Sequence, residues 1–210
     1  MTLSASEVHH LKQAPPVDGV LPILHQRWSP RSFADREVSP ADLAKVFEAA
    51  RWAASSFNEQ PWRFLVGDHN SLTYKKIFDS LMPVNQAWAV HAPVLILGVT
   101  KTKFSHNDGP NRVALYDLGA ASSYLTLQAA ALGLSTHQMA GFDVERARHE
   151  FSIPPDHEPV AIAALGYPGS VESLPHKLQQ KELAPRQRKP LADFVYERGW
   201  GRPAAFKRRV

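Results

Sequence analysis

Residues 39–67, SPADLAKVFEAARWAASSFNEQPWRFLVG, hold a helix, a polar break and a strand in direct succession. Ser39 supplies a capping oxygen, and Pro40 fits the first helical position, where its missing N–H would be unpaired anyway. Leu43, Val46, Phe47, Ala50 and Ala54 follow at helical spacing, which predicts an amphipathic helix over residues 40–54. The segment Ser55-Ser56-Phe57-Asn58-Glu59-Gln60-Pro61 breaks it. Trp62-Arg63-Phe64-Leu65-Val66 then alternates and is rich in strand formers, so a strand ending at Gly67 is expected.

The same alternation continues outward. Asn70 is placed to cap a helix running through residue 82, with Tyr74, Ile77, Phe78 and Leu81 on its inner stripe. Residues 93–99 are a continuous apolar run, read as a buried strand. Residues 111–132 contain no breaker beyond Gly119 and carry alanine and leucine on every face. They predict a central, nearly fully buried helix with Gly133 at its C-cap. Asp143 starts a short helix that must stop before Pro154-Pro155, and residues 160–165 form a buried strand closed by Gly166-Tyr167-Pro168. The expected order is helix, strand, helix, strand, helix, helix, strand, in a single α+β domain over residues 1–210. Residues 1–16 read as flexible. Beyond Gly169 the composition turns to lysine, arginine, glutamine and proline, leaving only Leu191, Phe194 and Val195 as an apolar stretch. This arm, residues 170–210, is stable only if it docks on its own domain or on a partner chain.

Composition narrows the function classes. Absence of cysteine excludes disulfides, thiolate metal sites and cysteine nucleophiles. No run approaches the roughly 18 apolar residues of a membrane span, and the N-terminus lacks the apolar core of an export signal, so a cytoplasmic protein without membrane partners is expected. Twenty-four basic residues against 20 acidic ones, a net charge of +4, favour phosphate ligands over long nucleic acid. The one dense basic cluster, Lys207-Arg208-Arg209, reads as a solvated tail. No Gly-x-Gly-x-x-Gly, P-loop or Gly-x-Ser-x-Gly elbow is present. The ten histidines are scattered without a paired helical spacing, so no metal site is expected.

Chemistry concentrates in Arg27-Trp28-Ser29-Pro30-Arg31-Ser32-Phe33, which sets two guanidiniums and a hydroxyl within one turn of chain. Such forks suit a phosphate dianion, although a basic turn before a helix is also an ordinary solvated corner. Arg186-Gln187-Arg188 adds a second basic pair in the tail. Together with residues 55–62, with Asn85-Gln86-Ala87-Trp88 ahead of Ala92-Pro93, and with Ala140-Gly141-Phe142-Asp143, this pattern resembles the flavin-binding nitroreductase family over residues 27–190.

The resemblance implies a nitroreductase-like fold: a central mixed, mainly antiparallel sheet flanked by helices, with the C-terminal arm exchanged in a homodimer. It implies bound FMN, with Arg27, Ser29, Arg186 and Arg188 holding the phosphate and ribityl chain, and Trp28 contributing mainly through its backbone. Arg31 would lie near flavin N1 and O2, where a fixed cation stabilises the reduced anion. Asn85 would bond the pyrimidine edge, with Trp88 nearby. The Gly141 N–H would point at N5, bordered by Met139 and Ala140, so that no side chain is assigned as catalytic acid or base. Ala54, Ser55, Ser56 and Asn58 would reach the flavin from the other subunit. The implied reaction is ping-pong transfer of reducing equivalents from NADH or NADPH to a small electron-poor acceptor, a nitro compound or a quinone, with Phe104, Phe142 and Trp88 as candidate walls. Other chemistries on the same fold are dehalogenation, dehydrogenation and flavin fragmentation; an FMN-binding sensor or carrier is the non-enzymatic alternative. Trp88, Ala54 and Ala140 stand where some members carry a basic residue, proline and glutamate, which weakens the transfer of any particular substrate.

Overall fold

The computed structural model describes residues 3–206. Four strands, β1 (Trp62–Asp68), β2 (Val94–Lys101), β3 (Ser135–Met139) and β4 (His157–Gly166), form one sheet in the order β1-β2-β4-β3. All three pairings are antiparallel, from Trp62 opposite Thr100 to Met139 opposite Ile162, so the described residues contribute no parallel pair to the sheet expected as mixed. Among the described residues eight α-helices accompany it: α1 (Ala5–Leu11), α2 (Pro22–Gln26), α3 (Pro40–Arg51), α4 (Leu72–Ser80), α5 (Pro83–Ala89), α6 (Ala114–Ala131), α7 (Val144–Glu150) and α8 (His176–Leu183).

The continuous apolar run of β2 has its cause in this arrangement, because an inner strand covered on both faces needs apolar residues at every position. Leu95, Leu97 and Val99 enter one core with Ile77, Leu81 and Trp88, while Val94 and Ile96 enter the other with Val46, Ala50, Leu118 and Leu125. The period of two along the strand thus divides helices α4, α5 and α7 from α3 and α6 on opposite faces of the sheet.

Several boundaries differ from those expected. The cap of α4 is Ser71, whose Oγ accepts the Tyr74 N–H at 3.0 Å, and not Asn70. That helix stops at Ser80, because Met82 and Pro83 cap and open α5. Strand β3 and helices α1, α2, α5 and α8 were not anticipated; Ser135-Thr136-His137-Gln138-Met139 is too polar to announce a strand. Gly133 does close α6 in the left-handed region, at φ +75°, with the Leu134 N–H donating to the Ala129 carbonyl at 2.9 Å. The expectation that α6 is almost fully buried is corrected: Ala114, Leu118, Ala121, Leu125 and Ala129 face inward, whereas Leu115, Tyr116 and Tyr124 lie in the open. One stripe is all that α3 and the sheet can cover.

The N-terminal stretch expected to be flexible contains α1, whose Ser4 and Glu7 form a reciprocal capping box and whose Val8 packs with Trp28 and Val171. The arm divides. Residues 169–186 lie on their own chain, starting where Gly169 crosses the backbone of Phe33 so closely that a Cβ would come within 2.4 Å of it. Farther along, Leu191, Phe194 and Trp200 are exposed, the last at 94%. The basic run at 207–209 lies outside the described residues.

Candidate functional site

Arg27 caps the end of α2 and opens an extended turn that carries Trp28, Ser29 and Arg31 past the ends of α1 and α8. With Lys12, Lys181, Glu182, Arg186 and Arg188 these residues line a cavity of about 180 Å³. Six cationic side chains there meet one carboxylate, Glu182, an imbalance that calls for an anion. Arg27 Nη2 donates to Ser29 Oγ at 3.0 Å, but its buried Nε has no partner among the described residues. Burial, and then the neighbouring Arg188, lower the Arg27 pKa. Among the described residues Arg188 donates only to the Gln187 carbonyl beside it, at 2.8 Å, and it lines the cavity. Arg186 is already employed: Nη1 donates to the Lys12 and His25 carbonyls at 2.9 and 2.8 Å, tying the ends of α1 and α2 together. The Trp28 ring is buried in the cluster with Val8 and Val171, with Lys12 Nζ 5.2 Å from its centre. A second cavity, about 310 Å³, adjoins the first at Arg27 and Ser29 and runs along α6 and β3 past Ser123, Thr126, Thr136 and Gln138.

From the Arg31 turn a line of contacts crosses to the loop after β3. His137 Nδ1 donates to the Pro30 carbonyl at 3.0 Å, and the His137 ring lies 4.6 Å from Trp88. Burial holds the His137 pKa down to about 4, so the ring is neutral. On the same helix as Trp88, Asn85 Nδ2 donates to the Gly141 carbonyl at 2.9 Å, and the Met82 N–H donates to it at 3.0 Å. A Cβ on Gly141 would come within 2.8 Å of Asn85 Nδ2, and the Gly141 N–H has no acceptor among the described residues. Asn85, Ala140 and Gly141 therefore form one surface. Trp88 and Met139 do not join it: at 2% and 4% exposure their side chains belong to the core, because the inner face of α5 and the last residue of β3 both point at the sheet's packing layer. Phe142 is buried there too, leaving Phe104 as the accessible member of the three expected walls.

Ala54, Ser55, Ser56 and Asn58 lie elsewhere. They lead into edge strand β1, whereas the Arg27–Gly141 group gathers at edge strand β3, about 14 Å away across three strand spacings. Their segment is fixed locally: Ser55 Oγ accepts the Gln60 N–H at 3.0 Å, and the Ser56 N–H donates to Asp117 Oδ2 at 3.1 Å. Phe57, Asn58 and Gln60 all hold positive φ, at 52°, 53° and 50°. Exposed Phe57 meets Phe104 edge-on, ring centres 5.5 Å apart. Sequence reading missed Lys12, Lys181, Glu182, Asp117 and His137. Glu182 is one of four acidic residues in the tail, with Glu172, Asp193 and Glu197, and nothing local singled it out or marked His137.

The Nitroreductase family model matches residues 24–85 and 73–167. An uncharacterized 15.4 kDa protein of Mycolicibacterium smegmatis is 32% identical over 148 residues, covering 67% of this chain and 99% of that protein. An NADH dehydrogenase of Thermus thermophilus is 26% identical over 199 residues, covering 77% of this chain and 96% of its own length. A crystal structure described as an oxidoreductase containing FMN superposes with a TM-score of 0.83 at 30% identity, covering 95% of this chain and 98% of that one. Matched through both halves of its sheet and through the cationic turn and the Gly141 loop, the chain belongs to the Nitroreductase family.

Proposed function

We propose that this protein is a homodimeric FMN-dependent oxidoreductase that takes reducing equivalents from NADH or NADPH and delivers them to a small electron-poor acceptor such as a nitro compound or quinone. The observation that carries the reading is the cationic cavity lined by Arg27, whose buried Nε has no partner among the described residues. A terminal phosphate offers the acceptors and the charge this cavity lacks. The hydroxyl and amide groups of Ser29, Ser123, Thr126, Thr136 and Gln138 along the adjoining cavity suit a polyhydroxylated chain. Gly141, with no side chain and an uncommitted N–H, suits close approach of a flat ring, and Asn85 stands beside it.

FMN, when bound, supplies the hydride-accepting and electron-donating centre. The chain's own residues grip its phosphate through Arg27, Arg188 and Ser29, present the Arg31 cation, and leave one open face over Gly141 that donor and acceptor use in turn, a ping-pong order. Ser55, Ser56 and Asn58 complete the pocket of a second copy, which accounts for their distance from Arg27 within one chain. The purified protein should be yellow and release FMN, not FAD, on denaturation. It should bleach with NADH or NADPH and recolour with a quinone or nitroaromatic. Colourless protein that takes up no added FMN would overturn the reading; bound FMN that no nicotinamide bleaches would make the protein a carrier.

A further inference from the structure

Glu182 is the acidic residue in the cationic cavity, and at 1% exposure the most buried charged side chain there. Burying a carboxylate costs several kcal/mol unless it is bonded and paired. Glu182 meets that condition at Oε1, while its buried Oε2 makes no hydrogen bond among the described residues and has the Arg31 guanidinium beside it. Its Oε1 accepts the N–H of Arg31 at 2.7 Å and of Ser32 at 3.2 Å, and its Oε2 lies 3.5 Å from Arg31 Nη1. Burial pushes the carboxyl pKa up, while the two amides and the charges of Arg31 and Lys12 pull it back. A residue of α8, in the arm, thus holds the backbone and the side chain of one turn 150 positions away.

Resting on the flavin reading above, we propose that Glu182 is a positioning residue that fixes the Arg31–Ser32 turn and tempers the positive charge Arg31 presents to the bound cofactor. A cation beside a flavin favours the reduced, more negative form, and a carboxylate paired to that cation offsets part of its field. Arg31 alone would poise the cofactor as a readily reduced acceptor; with Glu182 behind it the potential is set lower. The same pair couples the arm to the pocket, since displacing α8 withdraws the acceptor from both amides at once.

The test uses the holoprotein and two substitutions. Glu182→Gln keeps an oxygen for the two amides and removes the charge. It should raise the midpoint potential of bound FMN, read by spectroelectrochemistry, by about 30 mV, a tenfold change in the two-electron equilibrium constant. Amide exchange of the peptide spanning residues 28–34 should be unchanged in that variant and at least tenfold faster in Glu182→Ala. A Gln variant whose potential stays at the wild-type value overturns the charge role, and an Ala variant with wild-type exchange overturns the positioning role. If Glu182→Ala does not fold, Glu182→Leu, which fills the same space without an acceptor, replaces it in the exchange measurement, and the potential of the Gln variant still decides the charge role. Failure of the wild-type chain to take up FMN would defeat the parent reading only, because amide exchange needs no cofactor and still decides whether Glu182 holds the turn.

Discussion

Two guanidiniums close together in one cavity repel, and Arg27 adds the cost of partial burial. Both penalties are relieved when a dianion binds between them, so Arg27 is placed to do more for a ligand than for the fold. Arg27→Ala should weaken FMN binding by about 1.5–3 kcal/mol, the range for hydrogen bonds to charged groups, with little change in unfolding midpoint. Arg186→Ala should behave differently and lower both, because its guanidinium also ties α1 to α2. Fluorescence titration with FMN beside thermal unfolding separates the two. His137 makes a pH prediction. Its folded pKa, about 4, lies below the ordinary value of 6.5, so the unfolded chain binds the proton more tightly. The associated stability is complete above pH 6.5 and is lost as pH falls toward 4. Between pH 7 and pH 5 the loss should be about 2 kcal/mol in denaturant titrations, and His137→Asn should remove that part of the slope. If both proteins lose stability equally over this interval, the ring is not buried neutral.

At the scale of elements, legibility followed the range of the interaction that makes each one. Helix α3 was readable because its cap, proline and apolar stripe are local, and β2 because burial on both faces leaves a continuous run. The Arg27–Ser29–Arg31 turn was readable as a contiguous motif. Strand β3 was not, since its place in the sheet comes from pairing with β4. Glu182 and His137 were equally hidden, their partners being set by tertiary packing. Trp88 sits in a recognisable segment, and what its sequence did not reveal is that helix α5 turns the side chain inward. The arm gives a graded prediction. Deleting residues 170–210 removes α8, Glu182, Arg186, Arg188 and the Val171 contact with Trp28, and should abolish FMN retention through gel filtration. Stopping after residue 188 spares all of these and removes exposed Leu191, Phe194 and Trp200. That shorter truncation should leave the cavity formed while shifting the protein toward monomer, and a dimer unchanged by it would show that the outer arm takes no part in association.

For the whole molecule, the opposed edges of the sheet are the decisive fact. The proposed pocket draws on Arg27 and Asn58 from opposite edges of the sheet, and exposed Leu115, Tyr116 and Tyr124 on α6 offer an apolar face on which the proposed second copy would dock. Mixing tests it: chains carrying Arg27→Ala are unfolded, combined with chains carrying Asn58→Arg and refolded. Shared pockets give each heterodimer one intact and one doubly damaged site, so activity rises above either parent; pockets confined to single chains give no recovery.

The left-handed positions Phe57, Asn58 and Gln60 bear on how the contact proposed with a second copy can be made cheaply. Each non-glycine residue in that region costs on the order of 1–3 kcal/mol of backbone energy, which folding has already met through the Asp117 and Ser55 hydrogen bonds. A flexible loop offered to a neighbour would lose entropy on docking, and that loss would be subtracted from every contact it made. In the dimer proposed above, a loop already held in this way has less left to lose, so the specificity of the second copy's pocket would be settled while this chain folds, before the two copies meet.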